Sequence, residues 1–337
     1  MLVADLSHLV DIWKLVVKDP STTTITLDHR GAHIEGAHVG ASRKLKLPLD
    51  EPATVDGAML LGTLALMQET AEISIERTDA SIVLVTRGRR AVLRRIEGSP
   101  PLGLKQFEAR FFNGRRLRDQ LAFLRACTSG GVIRPILTGI RFTHRNQAIL
   151  EATDAEVRSG RVLLKLPCTV SGQVVPAVEL EQALSLLNER VAMKFTRSHL
   201  NLRDKITIIR IALLQGEYPS LDRLTKRSAY AHQVELKRTQ LETAIKAGLL
   251  LDSDRRVTLS IKSGKGSLLV TSQETGGFRQ SAGRMVVPDI DIVFDAHWLD
   301  AAQYLGDTLT LHYIDAHVPV LFTGSGRSLW MGLIART

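Results

Sequence analysis

The hydrophobic pattern is most regular between Val174 and Leu221. Leu180, Ala183, Leu184 and Leu187 fall at i, i+3, i+4 and i+7, which predicts one buried helical face. Pro176 suits the entry to that helix, because its missing N–H would have no partner in a first turn. Beyond Asn188 the period changes to two: Val191, Met193 and Phe195 alternate with Ala192, Lys194 and Thr196. Runs at Leu200/Leu202 and Ile206/Ile208 follow, separated by Arg197-Ser198-His199 and Arg203-Asp204-Lys205 as hairpin turns would separate them. The expected unit is one amphipathic helix followed by an antiparallel meander of three strands.

The unit recurs on both sides. Toward the N-terminus a helix is expected over Val55–Met67, then strands at Glu72–Glu76, Ser81–Thr86 and Arg90–Ile96. Toward the C-terminus a helix is expected around Ala296–Leu305, then strands at Leu309–Tyr313, Val318–Thr323 and Ser328–Leu333. The copies are offset by roughly 115–120 residues, a period of whole domains rather than of a solenoid. A shorter version precedes each copy. Its helices are expected at Leu6–Lys18, Gly114–Cys127 and Leu236–Leu250. Strands follow at Thr22–Leu27, at Ile136–Thr143 with Ala148–Ala152, and at Val257–Ile261 with Ser267–Thr271. The fold class is therefore α+β, with three tandem domains at 1–104, 105–226 and 227–337, each of two helix-plus-antiparallel-sheet halves. Glu97–Gly103 and Gly216–Leu221 punctuate the boundaries.

Charge sharpens this division. The 337 residues carry a formal net charge of +9. Residues 105–226 hold 20 Lys and Arg against 11 Asp and Glu, while the two flanking segments are near neutral. A surplus confined to one domain is the footprint expected of a polyanion partner. The helix GRRLRDQLAFLRAC turns Leu117, Leu121 and Leu124 inward and leaves Arg115, Arg116, Arg118 and Arg125 for phosphates. Lys14 on the first helix, and Lys237, Arg238 and Lys246 near Leu241 and Ile245, repeat the bias.

Chemistry is otherwise sparse. His29, His33 and His38 cluster, but their spacing suits neither one helical face nor a metal set, so ordinary strand and turn histidines are expected. Ser263-Gly264-Lys265-Gly266-Ser267 lacks the leading glycine of a phosphate loop and lies between strand-like runs. Neither HExxH nor CxxC occurs, and no paired carboxylates share a face, so no catalytic activity, metal or cofactor is expected. Two cysteines, no apolar run of about 18 residues and no basic leader predict a cytoplasmic protein with no membrane partner.

These features together resemble the bacterial DNA polymerase III beta subunit, the ring-shaped sliding clamp. The resemblance rests on Arg115–Cys127, the run Arg134–Ile140, Ala152-Thr153-Asp154 and Val174-Val175-Pro176. Gly216–Leu221, Phe294–Leu305 and Val318-Pro319-Val320 complete it, in that order, over the threefold repeat. It implies a head-to-tail homodimer closing a ring around double-stranded DNA. Contacts to DNA would be non-specific, made by helices that line the channel. It also implies docking of DNA polymerase and clamp loader through short peptide motifs. The peptide pocket carried over is Leu137, Thr153, Ala155, Val157, Met331 and Leu333. Three positions depart from the family pattern. Ala155-Glu156-Val157-Arg158 replaces a Gly-His-Arg-like run, Met331-Gly332-Leu333-Ile334 replaces a Met-Pro-Met tail, and Thr225 replaces a linker proline. The alternative reading is a clamp-fold DNA-binding protein of a mobile element or repair system, with a lost or altered polymerase pocket.

Overall fold

The structure, a computed structural model, describes residues 9, 11–13, 15, 24–29, 31–36, 39–45, 47, 49, 51–67, 72–96, 107–131, 133–144, 147–167, 170–225, 230–272 and 276–334. Most of the expected helix Leu6–Lys18 lies outside them. Within it, Leu9, Ile12 and Leu15 are helical and buried.

The central unit forms as its pattern predicts. A helix at Ala177–Leu186 buries Leu180, Ala183 and Leu184, and strands follow at Arg190–Phe195, His199–Arg203 and Thr207–Ala212. Asp204 holds the second turn, its Oδ1 accepting the N–H groups of Ile206 and Thr207 and its Oδ2 that of Asn188. The first copy is the helix Gly57–Ala65 with strands Ser74–Arg77, Ser81–Thr86 and Arg89–Arg94. Asp56 caps that helix through Met59 N–H at 2.8 Å. Val55 belongs to the preceding strand, Ala53–Asp56.

The third copy differs from the expected single helix. Ala296–Leu299 makes one α-helical turn, and Asp300–Leu305 tightens into a 3-10 helix. Ala301, Ala302 and Leu305 are all buried, and Gly306, at φ 122°, ends that helix. Strands Thr308–Tyr313, Val320–Gly324 and Arg327–Met331 complete the copy. The helices of the shorter halves run over Gly114–Ala126 and Arg238–Leu251, and Leu236 falls in the strand His232–Lys237. The run from Ile136 begins as a 3-10 turn at Pro135–Thr138 before the strand Gly139–His144.

All strand pairs are antiparallel, and the sheets repeat one arrangement. One type of half-sheet has its four strands in spatial order fourth, first, second, third. It occurs at 53–56/24–28/31–35/39–44, at 171–176/139–144/148–153/158–164 and at 290–295/256–262/265–272/276–284. The other type is the meander, 207–212/199–203/190–195 with 111–113, 327–331/320–324/308–313 with 232–237, and 89–94/81–86/74–77. Two junctions merge halves into eight-stranded sheets. Val39–Lys44 pairs with Thr207–Ala212, and Arg158–Leu164 pairs with Arg327–Met331.

Because of these junctions the chain groups into two compact units. One comprises 1–118, 167–169 and 178–213, and the other 119–166, 170–177 and 214–337. Strands of the middle segment are thus shared out, 190–212 to the N-terminal sheet and 139–176 to the C-terminal one.

Candidate functional site

A pocket of about 260 Å3 lies in the second unit, at the end of the junction between Arg158–Leu164 and Arg327–Met331. One wall is the turn Thr153–Ser159, built by two side chains. Asp154 Oδ1 accepts the N–H groups of Glu156, Val157 and Arg158 at 2.8–3.0 Å, and its Oδ2 accepts Arg158 Nε at 2.9 Å. Thr153 Oγ1 accepts Ala155 N–H and donates to Arg158 O or shares its proton with Ser159 Oγ. This wrapping forces Ala155 to φ 62°, the left-handed region that glycine enters without cost. The opposite walls are Pro219, Leu221 and Leu224 from the segment closing the middle of the chain, with Pro319 just before the strand Val320–Gly324 and Trp330 and Met331 from the last strand.

Behind the pocket sits a polar brace. Tyr218 is buried, its hydroxyl oxygen accepting Thr153 N–H at 3.0 Å while its proton points to Glu151 O at 3.4 Å. Burial pushes the Tyr218 phenol up, so it stays a neutral hydroxyl. Glu151, also buried, accepts from Arg161 Nε at 2.9 Å and lies 3.6 Å from Arg141 Nη1. Arg161 in turn lies 5.8 Å over the Trp330 ring. Arg327 fastens the last strand to the helix Gly114–Ala126. It donates to Gln120 Oε1, Asp119 O and Tyr304 O, and covers the Phe123 ring.

Four of the six residues expected in the pocket meet there: Thr153, Ala155, Val157 and Met331. Leu333 does not line it; the neighbouring Gly332 does, tied to Val157 O through its N–H at 2.9 Å. Leu137 is buried elsewhere, in a cluster with Val174, Tyr218, Ile136 and Leu214. Sequence reasoning passed over Pro219, Leu221, Leu224 and Trp330. Tyr218–Leu221 stands out as a Pro-interrupted apolar run, but nothing local says that it reaches the last strand.

Two of the three expected cationic helices lie among the described residues, Gly114–Ala126 and Arg238–Leu251. Asn113 Oδ1 accepts Arg115 N–H at 2.9 Å and opens the helix that buries Leu117, Leu121 and Leu124. Arg115, Arg116 and Arg125 are exposed, whereas Arg118 is half-buried. On the helix Arg238–Leu251, Lys246 is exposed, as is Lys237 just before it. Arg238 is partly neutralised by Asp307 at 3.0 Å and Glu242 at 3.5 Å. Lys14 lies outside the described residues. Of the histidines, His33 on the strand Gly31–Glu35 bonds Ser42 Oγ at 2.8 Å and lies 3.3 Å from Asp28, while His38 lies outside the described residues. Ser263 and Gly264 form the tip of the hairpin joining Arg256–Lys262 to Lys265–Ser272, at φ 49° and 74°. No group of three or more metal-ligating side chains and no helix able to cross a membrane occurs among the described residues.

No protein-family model and no curated protein sequence matches the chain. Solved structures do. The beta subunit of DNA polymerase from Streptococcus pyogenes aligns at a TM-score of 0.87 with 17% identity, over 100% of this chain and 99% of that one. The Bacillus subtilis DNA polymerase sliding clamp aligns at 0.85 with 16% identity, over 100% and 98%. The Helicobacter pylori beta clamp, solved bound to a DNA ligase peptide, aligns at 0.85 with 16% identity, over 99% of each chain. From end to end, this chain has the fold of the bacterial DNA polymerase III beta subunits.

Proposed function

We propose that the protein is a DNA sliding clamp, a non-catalytic processivity factor in which two copies close head to tail around duplex DNA. The observation that carries this reading is a pair of unused strand edges. At both internal junctions, the last strand of a fourth-first-second-third half pairs with the last strand of a meander half. Among the described residues one strand of each kind is left over, Gly276–Arg284 and Arg89–Arg94, each at the edge of its sheet. Pairing the first of these in one copy with the second in its partner repeats the internal rule. The contact is heterologous, and two of them close a ring of six domains, bounded at 1–104, 105–226 and 227–337.

The charge fits the same reading. Arg115, Arg116, Arg118, Arg125, Lys237, Arg238 and Lys246, with Lys14, would face the channel and meet phosphates without reading bases. Topological linkage, rather than tight contact, would then keep the ring on DNA. The pocket beside Thr153–Ser159 would take short peptides of polymerase, loader and other DNA-processing proteins, as the H. pylori clamp takes a ligase peptide.

Light scattering over a dilution series tests closure. The expected particle is about 74 kDa, twice the 37.2 kDa chain. Measurement in about 0.3 M salt screens the arginines that both edges carry. The ring, once loaded, should be retained on circular DNA and lost from linear DNA. A 37.2 kDa particle at every concentration, or equal retention on both DNAs, overturns the reading.

A further inference from the structure

Among the described residues the pocket carries one uncompensated charge, and it is negative. We infer that it selects peptides with a basic residue beside their apolar anchor and disfavours acidic ones; this rests on the peptide-pocket reading above. Pro219, Leu221, Leu224, Pro319, Trp330 and Met331 supply apolar walls that take an aliphatic or aromatic side chain but do not discriminate charge. Glu156 is the only charged side chain lining the pocket among the described residues. The turn holds it outward: its N–H is fixed on Asp154, and its side chain is exposed, with no ion-pair partner among the described residues.

Two neighbouring cations are spent within the protein. Arg158 is bound to Asp154, with both side chains mostly covered, and every Asp154 oxygen serves the turn. Arg161 faces Glu151 and the Trp330 ring, on the brace behind the pocket. A peptide cation at the rim therefore meets Glu156 directly, while a peptide carboxylate beside Glu156 is repelled.

The test uses the full chain and three fluorescein-labelled nine-residue peptides with one Leu-Phe core, flanked by Lys, Gln or Asp. Anisotropy titrations in about 20 mM salt should rank them Lys, then Gln, then Asp, with roughly fivefold between the extremes. The ratio should collapse toward one in Glu156→Gln and invert in Glu156→Lys, both changes at an exposed position. Equal affinities of the Lys and Asp peptides for the native chain, or a preference that survives Glu156→Gln, overturn the inference while the pocket reading stands. Failure of all three peptides to bind overturns both.

Discussion

The two eight-stranded sheets share one strand order, and the second ends in a pocket with a braced turn. In the first, Val39–Lys44 meets Thr207–Ala212, joining the N-terminal segment to the middle one. In the second, Arg158–Leu164 meets Arg327–Met331, joining the middle segment to the C-terminal one. The seam in both is a backbone ladder, indifferent to side chains, so the architecture repeats while the surface is free to diverge. What distinguishes the second is the company it keeps. Asp154 pins one turn, Tyr218–Leu224 runs alongside it, and Pro319 and the last-strand Trp330 face it. A binding site arises here from what flanks a common seam, not from the seam.

The comparison can be broken from either side. In the first sheet, Gly31 sits at φ 148°, and a Cβ there would enter the carbonyl of Arg43 on the paired strand. Gly31→Ala should cost the first unit about 3 kcal/mol, seen as a lower unfolding midpoint, while peptide binding by the second unit persists below that transition. An unmoved midpoint would mean that the close hairpin approach is not structural.

Next in size is Glu151→Ala in the second sheet. It strands Arg161 and Arg141, but both arginines reach some solvent, so the cost should be about 2–3 kcal/mol rather than that of a fully buried pair. Denaturant titration measures it. Tyr218→Phe should cost about 1–2 kcal/mol, because Thr153 N–H loses its buried acceptor, and peptide affinity should fall as the turn loosens. A stability loss without any change in affinity would separate the brace from the pocket. The smallest effect has the opposite sign. Ala155→Gly relieves a left-handed alanine and should stabilise the second unit by about 0.5–1 kcal/mol, since glycine's greater freedom in the unfolded chain offsets part of the gain.

Legibility in the sequence followed burial. The meander strand His199–Arg203 alternates apolar with polar residues because one face is in a core, while Arg190–Phe195 and Ser81–Thr86 are short, mostly buried apolar runs, and all three were readable to within a residue or two. Gly276–Arg284 is a nine-residue strand whose residues GGFRQSAGR alternate almost nothing, because it is an edge strand with most of its residues exposed. Only its ladder with Lys265–Ser272 defines it. Ser171–Pro176 was missed for a related reason, being short and rich in small or polar residues.

The candidate site divides the same way. Thr153 and Asp154 announce their turn locally, since a carboxylate followed by several free N–H groups wraps its own backbone. Trp330 and Leu224, by contrast, are 106 positions apart and meet only because two ladders place their strands beside one segment. By itself, then, the sequence determined most of the described helices and the meanders, which depend on residues a few positions apart. Which strands join across segments, which edges stay unpaired and which side chains share the pocket were decided by the tertiary structure. Backbone pairing over more than a hundred residues leaves no periodic trace in the chain that makes it.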